Sequence, residues 1–165
     1  MIRLRNELVD DAAAIEGILD RAFGPGRFAK VSDRVREFAS LRRDLSRVAM
    51  RDGAVIALCR MYDAAIGPQR VVYLGPLAVD PAVQAGGLGV AVTQAALEAA
   101  RADGAAHVIV VGQPRFFLRF GFSQVPERQI TLPGPVEARR LQWLGLDGAD
   151  DHAPKGALSP LRAAN

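Results

Sequence analysis

The chain has 165 residues, 50% of them hydrophobic and 24% charged, with a formal net charge of +3, which suits a single domain around one core. No apolar run approaches the ~20 residues a membrane span needs, and the opening Met1-Ile-Arg-Leu-Arg-Asn-Glu7 lacks the apolar centre of a secretory signal. The single cysteine, Cys59, excludes an internal disulfide framework, so the expected location is the cytoplasm, and the modest positive charge suits an anionic ligand without calling for nucleic acid.

Ile2 to Leu8 alternates apolar and polar residues, the period of an outer strand. Asp10 or Asp11 stands where a helix cap belongs, ahead of Ala14, Ile15, Ile18, Leu19 and Ala22 on one face. Gly24-Pro25-Gly26 ends that helix. Val35, Phe38, Leu41 and Leu45 recur at helical spacing and predict a second helix from about Ser32 to Leu45. The stretch Arg27 to Arg47 is the most basic part of the chain. It carries Arg27, Lys30, Arg34, Arg36, Arg42, Arg43 and Arg47 against Asp33, Glu37 and Asp44. It reads either as a solvated face with local ion pairs or as a docking surface for an acidic partner such as an acyl carrier protein.

Arg47 to Arg51 and Ala54 to Tyr62 flank Asp52-Gly53, the signal of a two-residue hairpin. Cys59 falls in the second strand, with no histidine nearby to mark it as a nucleophile, and reads as a small buried side chain. Asp63 follows, either opening a turn or facing a site. Gly67-Pro68-Gln69 turns the chain into a central strand ending at Val79. Gly75-Pro76 interrupts regular pairing inside it, and Asp80-Pro81 stops it. Glycines 86, 87 and 89 then coincide with the start of a helix running to about Asp103. A helix start leaves backbone N–H groups without partners and is partly positive; without side chains there, a phosphate can come close. Gln84, Ala85, Gly86, Gly87, Leu88, Gly89 and Val90 therefore read as an anion cradle, or as a bare tight turn. Their spacing is neither G-x-x-x-x-G-K-[ST] nor G-x-G-x-x-G.

Gly104 is placed to end that helix, and Ala105 to Val111 returns as a strand parallel to the central one. His107, at its start, reads as structural. Pro114 opens a short helix to Arg119, Gly121 turns the chain, and Phe122 starts another strand. A further strand is expected around Arg140 to Leu146, with Trp143 against the sheet. Residues beyond about 148 read as a loop-like tail of the same domain, residues 1–165.

The stretch Leu74-Gly-Pro-Leu-Ala-Val-Asp-Pro81, followed by Gln84-x-x-Gly87-x-Gly89, resembles the acyl-CoA-binding motif of the GNAT superfamily of N-acetyltransferases. Val111-Gly-Gln-Pro-Arg-Phe-Phe-Leu-Arg-Phe-Gly-Phe122 is similar to its second signature, and the resemblance covers roughly residues 1 to 130. It implies an α/β fold with a mixed, mostly antiparallel sheet of about six or seven strands, a splayed parallel central pair and helices on both faces. It implies acetyl-CoA or another acyl-CoA as co-substrate, no metal, and a monomer or homodimer. By resemblance, Leu77, Ala78 and Val79 line the pantetheine, the amides of Gln84 to Val90 hold the pyrophosphate, and the segment after the first helix forms one acceptor wall. The backbone amide of Leu77 is the expected oxyanion donor for direct attack by a primary amine.

One departure stands out. Where many relatives carry tyrosines that protonate the departing thiolate, this chain has Phe116 and Phe117, and Gln113 replaces a frequent aspartate. Water, or electrostatic help from Arg115 or Arg119, would then serve. A preference for longer acyl chains, or an acyl-CoA-binding sensor without turnover, are the alternatives. Tyr73 and Asp63 are the candidate bases on the central strands.

Overall fold

A computed structural model describes residues 1–83, 85–147, 149 and 151–162. The elements are, in order, β1 (Ile2–Asn6), α1 (Ala12–Phe23), α2 (Val31–Val35), β2 (Ser40–Leu41), β3 (Arg47–Arg51), β4 (Ala54–Ile66), β5 (Gln69–Val79), α3 (Leu88–Ala102), β6 (His107–Val111), α4 (Pro114–Leu118), β7 (Ser123–Gln124), β8 (Ile130–Thr131), β9 (Leu141–Gly145) and β10 (Gly156–Ser159). The sheet's main path runs β1-β3-β4-β5-β6-β9-β7, seven strands where about six or seven are expected, and three short strands bring it to ten: β2 and β10 on β4, and β8 on β10. β5 and β6 are parallel and joined by α3, while the other pairs along the main path are antiparallel. The β3–β4 hairpin turns at Asp52 (φ 51°) and Gly53 (φ 78°), the two positive values that a tight hairpin turn matching the strand twist requires.

Alternation along the strands sorts the core onto two faces. On one face Cys59, Met61, Val72 and Leu74 pack against Val92, Ala96 and Ala100 of α3 and against Phe117 and Phe122. On the other, Ile15, Ile18 and Leu19 of α1 cover Val48, Leu58 and Ala78, and Val31 and Val35 of α2 cover Tyr62, Tyr73 and Ile109. The small residues of α3 let its axis come close to the sheet.

Three local expectations need correction. Asp11 stands at the N-cap position of α1, one of the two expected residues, but its side chain makes no capping hydrogen bond to that helix. A 3-10 turn, Val9–Asp11, leads into the helix, and the Asp11 carboxylate reaches back to the Leu8 N–H at 2.7 Å. The second helix stops at Val35 rather than running to about 45. The tail beyond 148 is not all loop, since Gly156–Ser159 is a strand. One cause underlies the last two. β4 is 13 residues long but pairs with β3 only as far as Cys59, so its outer edge beyond that point is open. Unpaired edge groups recruit partners. Ser40 and Leu41 pair with Asp63 and Tyr62, and Leu158 and Ser159 pair with Ile66 and Ala65. Backbone pairing thus overrides helical spacing. Trp143 is half-buried in the β9 layer, and His107 is buried.

Most charges of the basic stretch are matched inside the fold. Arg27 is buried and bonds Glu16 at 2.6 Å and Asp20 at 2.9 Å, and Arg36 reaches Glu16 at 2.7 Å. Arg42 contacts Asp44, Asp63 and Asp103. Beneath them Arg60 and Glu7 form a fully enclosed pair at 2.8 and 3.1 Å.

Removing one partner of an enclosed ion pair leaves a bare charge, which costs about 3–5 kcal/mol. Glu7→Ala is expected to lose that much in urea unfolding, and the double variant Glu7→Leu/Arg60→Met to lose much less; equal losses would mean that the pair is not what holds this corner. Acid tests the outer network. The Arg5 hydrogen bond lowers Asp11, and the Arg42 hydrogen bond lowers Asp44. For Glu16 and Asp103 burial works the other way but is outweighed by bonds from Arg36 and Arg27, and from Arg42 and Arg70. Because these groups ionise lower in the fold than the ordinary 3.8 or 4.5, their stabilisation is complete above those values. It is lost as pH falls through the folded values, so the urea midpoint should drop steeply below about pH 4 and stay flat from about 5 to 7.

Candidate active site

The site begins with one residue too many. Met61 lies opposite Leu74 and Cys59 opposite Leu77, so Gly75 and Pro76 together face Arg60. This is a β-bulge. Gly75 has φ 142°, and a Cβ there would fall 2.7 Å from Ser32 Oγ and 3.3 Å from the Tyr73 ring, so glycine is required twice over. The Gly75-Pro76 peptide is cis. On its other side β5 pairs with β6 only from Val72↔Val108 to Leu74↔Val110. β6 ends at Val111 while β5 continues to Val79, and the two strands part. Past the bulge, the Asp80 N–H points to Ile56 O on β4 at 2.8 Å. Successive amides alternate in direction, so those of Leu77 and Val79 turn into the gap and that of Ala78 turns to β4.

Beyond β5 the chain enters α3. Gly87 is its cap, left-handed at φ 80°, and the first turn contains no acidic residue. Ala91 N–H is satisfied by Gly87 O at 2.9 Å, so the amides of Leu88, Gly89 and Val90 precede the first helical bond. A Cβ at Gly86 or Gly87 would meet open space, while one at Gly89 would touch Phe116 and Val79 at 3.8–3.9 Å. Bare amides, an empty approach and the positive helix end together fit a phosphate group. Leu88 buries its side chain in the core and Ala85 packs at the edge of it, so both can act only through the backbone. Gln84 lies outside the described residues.

The gap opens into a cavity of about 570 Å³. Its floor is Leu74 to Leu77 and Val110 to Gln113. Its walls are residues 26, 27 and 29–33 before and within α2, Phe116 and Phe117 of α4, and residues 135–137 with Arg140 before β9. Gly112 is close enough to Phe117 that a Cβ would overlap the ring. Phe116 and Phe117 meet edge to face, with centroids 4.9 Å apart, and neither carries an exchangeable proton.

The candidate bases fall in different places. Tyr73 is fully buried beneath Ser32, with its hydroxyl 3.0 Å from Ser32 Oγ, and Ser32 lines the cavity. Burial pushes the phenol up to about 12, only partly offset by the Ser32 hydrogen bond. A phenol so displaced keeps its proton at neutral pH, which weighs against its reading as a base. Asp63 neither opens a turn nor lines the cavity. It lies within β4, bonded to Arg42 at 2.9 Å and Arg70 at 2.8 and 3.0 Å. Ser32 and Arg140 were not singled out from sequence, and no local motif marks them; each is brought to the cavity by a segment distant from β5. Cys59 is completely buried, and burial pushes its thiol up to about 12. Among the described residues no group of His, Cys, Asp and Glu is arranged to hold a metal, and no helix is long and apolar enough to cross a membrane.

Residues 12–122 match the profile described as Acetyltransferase (GNAT) family. The chain is 28% identical over 149 residues to an uncharacterized N-acetyltransferase, YhbS, of Escherichia coli strain K12, covering 88% of this chain and 83% of that one. The crystal structure of Escherichia coli YhbS in complex with CoA superposes with TM-score 0.74 at 25% identity, covering 98% of this chain and 89% of that one. A GNAT family acetyltransferase from Brucella melitensis in complex with acetyl-CoA superposes with TM-score 0.70 at 25% identity, covering 96% and 95%.

A buried, undissociated thiol reacts slowly. Cys59 should therefore stay unmodified by Ellman's reagent at pH 8 in the native protein and react stoichiometrically in guanidinium. Rapid native labelling would show that the α3 face opens.

Proposed function

The chain belongs to the Acetyltransferase (GNAT) family and is an acyltransferase, and on that footing we propose that it transfers the acetyl group of acetyl-CoA to a primary amine by direct attack, without a covalent enzyme intermediate. The observation that carries the reading is the juxtaposition of the gap at Gly75–Val79 with the glycine-lined start of α3. Solved relatives with CoA and acetyl-CoA support it.

In this reading the amides around Gly86 to Val90 hold the pyrophosphate, and the edge of Leu77, Ala78 and Val79 guides the pantetheine arm. Acetyl-CoA bound there supplies the acyl group. The Leu77 N–H, aimed into the gap, donates to the acyl carbonyl oxygen and stabilises the charge that develops on it. The protein's main contribution is orientation. The cavity walls hold the amine, and the apolar Phe116 and Phe117 limit water near the reacting atoms. An ammonium must lose a proton before attack, and the departing thiolate must gain one. Asp63 is engaged by arginines and Tyr73 is held protonated, so the base is assigned to solvent within the cavity. The Tyr73–Ser32 hydroxyl pair is a proton-bearing group beside the bulge. The single, buried Cys59 suits a reducing compartment such as the cytoplasm.

Two variants of the reading rest on specific residues. Phe116 and Phe117 make the pocket apolar, which favours acyl groups longer than acetyl or, at the limit, binding without turnover. The basic stretch carries the reading in which an acyl carrier protein delivers the acyl group; Arg27, Arg36, Arg42 and, at 3.9 Å, Arg43 are already ion-paired and Arg47 bonds the carbonyls of Asp44 and Ser46, which leaves Lys30 and Arg34 as the candidates for such docking.

Amine-dependent thiol release from acetyl-CoA, compared with octanoyl-CoA and with an acyl carrier protein, separates these readings: acetyl-CoA should be preferred, and tight binding with no release under any amine would sink the enzymatic proposal. At the cradle, Gly86→Asp adds a carboxylate in open space with no backbone strain. It should weaken CoA about tenfold by calorimetry while leaving the melting temperature within a few degrees; unaltered affinity would place the pyrophosphate elsewhere.

A further inference from the structure

The acceptor side of the cavity contains a guanidinium with a sealed nitrogen that nothing within the described residues balances. Arg27, which also lines the cavity, is bound to Glu16 and Asp20 and lies 3.6 Å from Asp33. Glu137, the carboxylate nearest in sequence to Arg140, is taken by Arg139 at 2.9 Å. Asp33 lies between Arg27 and Arg36. Lys30 sits over the Phe23 ring at 4.8 Å. Lys30 and Arg140 make no side-chain hydrogen bond or ion pair within the described residues; Lys30 has the Phe23 ring beneath it, whereas Arg140 has no such contact and its Nε is sealed from solvent.

Its backbone is firmly placed. The Arg140 carbonyl accepts from the Gly112 N–H at 3.0 Å, at the point where β6 ends and the gap opens, and the Gln142 amide donates to the same oxygen at 3.3 Å. Its charge acts on the buried Tyr73 phenol, so it bears on the Tyr73–Ser32 end of the cavity. A desolvated donor without an acceptor is destabilising unless something else supplies one. A guanidinium is a planar fork suited to two oxygens of a carboxylate or phosphate.

We propose that Arg140 receives an anionic oxygen group, carboxylate or phosphate, carried by the same molecule as the attacking amine. The acceptor is then a small zwitterion such as an amino acid or an aminoalkyl phosphate, rather than a simple amine or polyamine. This rests on the amine-acetylation reading. Arg140 acts as a specificity residue: it grips the far end of the acceptor and leaves the amine free to face the acyl carbon near Leu77.

The test compares matched amines at saturating acetyl-CoA: each amino acid against its decarboxylated amine, and O-phosphoethanolamine against ethanolamine. In the wild-type protein the anionic member should have the higher kcat/KM, and which anionic series is used separates carboxylate from phosphate. Arg140→Gln should raise KM for the anionic member about tenfold to a hundredfold, with a much smaller change in kcat, so that the preference collapses. Arg140→Lys should restore part of it. Preference for the neutral members, or equal losses on both members in Arg140→Gln, overturns the proposal while amine acetylation itself stands. Where no amine is turned over, calorimetry with the N-acetylated amino acids and N-acetyl-O-phosphoethanolamine on the CoA-loaded protein decides. Binding lost in Arg140→Gln supports the anion site, and no binding in the wild type overturns it. CoA affinity measured alongside reports separately on the cofactor reading.

Discussion

The extra residue that β5 carries at Gly75-Pro76 keeps the centre of this sheet open. Before it, β5 has hydrogen-bonded neighbours on both sides; after it, β5 keeps β4 but loses β6. The bulge also restores the facing of the side chains. Leu74 and Leu77 are three apart yet lie opposite Met61 and Cys59, which are two apart, so both turn to the α3 side. The core therefore continues without a fault while the backbone beside it becomes available. A regular strand would bury those amides in a ladder and leave no site.

Around this opening the fold allots its charges in a way that separates structure from function. Glu7 with Arg60, Glu16 with Arg27 and Arg36, and Asp63 with Arg42 and Arg70 each neutralise cations where the sheet and helices join. The enclosure of the Glu7–Arg60 pair makes each of those two partners depend on the other. Among the groups left without such a partner within the described residues are the bare amides at the start of α3 and the sealed Nε of Arg140. Both suit anions, in the proposed reading one on the cofactor side of the gap and one on the acceptor side. The basic stretch, read along the chain, looks like a docking face; in three dimensions most of it is internal electrostatics.

The legible parts of the chain were those governed by near neighbours. Asp52-Gly53 specified its hairpin because only a few residue types tolerate two successive positive φ values. Gly104, Pro114 and Gly121 marked the ends of elements for similar reasons. The glycines at 86, 87 and 89, next to an alanine-rich helix, disclosed the cradle. Illegible were the features set by distant partners. The 32–45 stretch has helical spacing, yet Ser40 and Leu41 pair with β4 because the outer edge of that long strand was unfilled. Leu158 joins the same edge from the far end of the chain. Tyr73 sits on the right strand for a base, but burial under Ser32 holds its proton. Asp63 sits two residues from Met61, but the arginines that claim it come from positions 42 and 70.

The sequence by itself determined the order of the main helices and strands, the break in regular pairing at Gly75-Pro76, the glycine-lined start of α3 and, through the resemblance of its motifs, the family. These follow from backbone restrictions at glycine and proline and from periodicities of a few residues. Only the tertiary structure decided which carboxylates are engaged, that Phe116 and Phe117 close one wall, and that Ser32 and Arg140 share a cavity. Residues 32 and 140 both line it because α2 and the segment before β9 are laid beside the splayed strands. Burial, pairing and the pKa values that depend on them arise from that packing, which no stretch of neighbouring residues encodes.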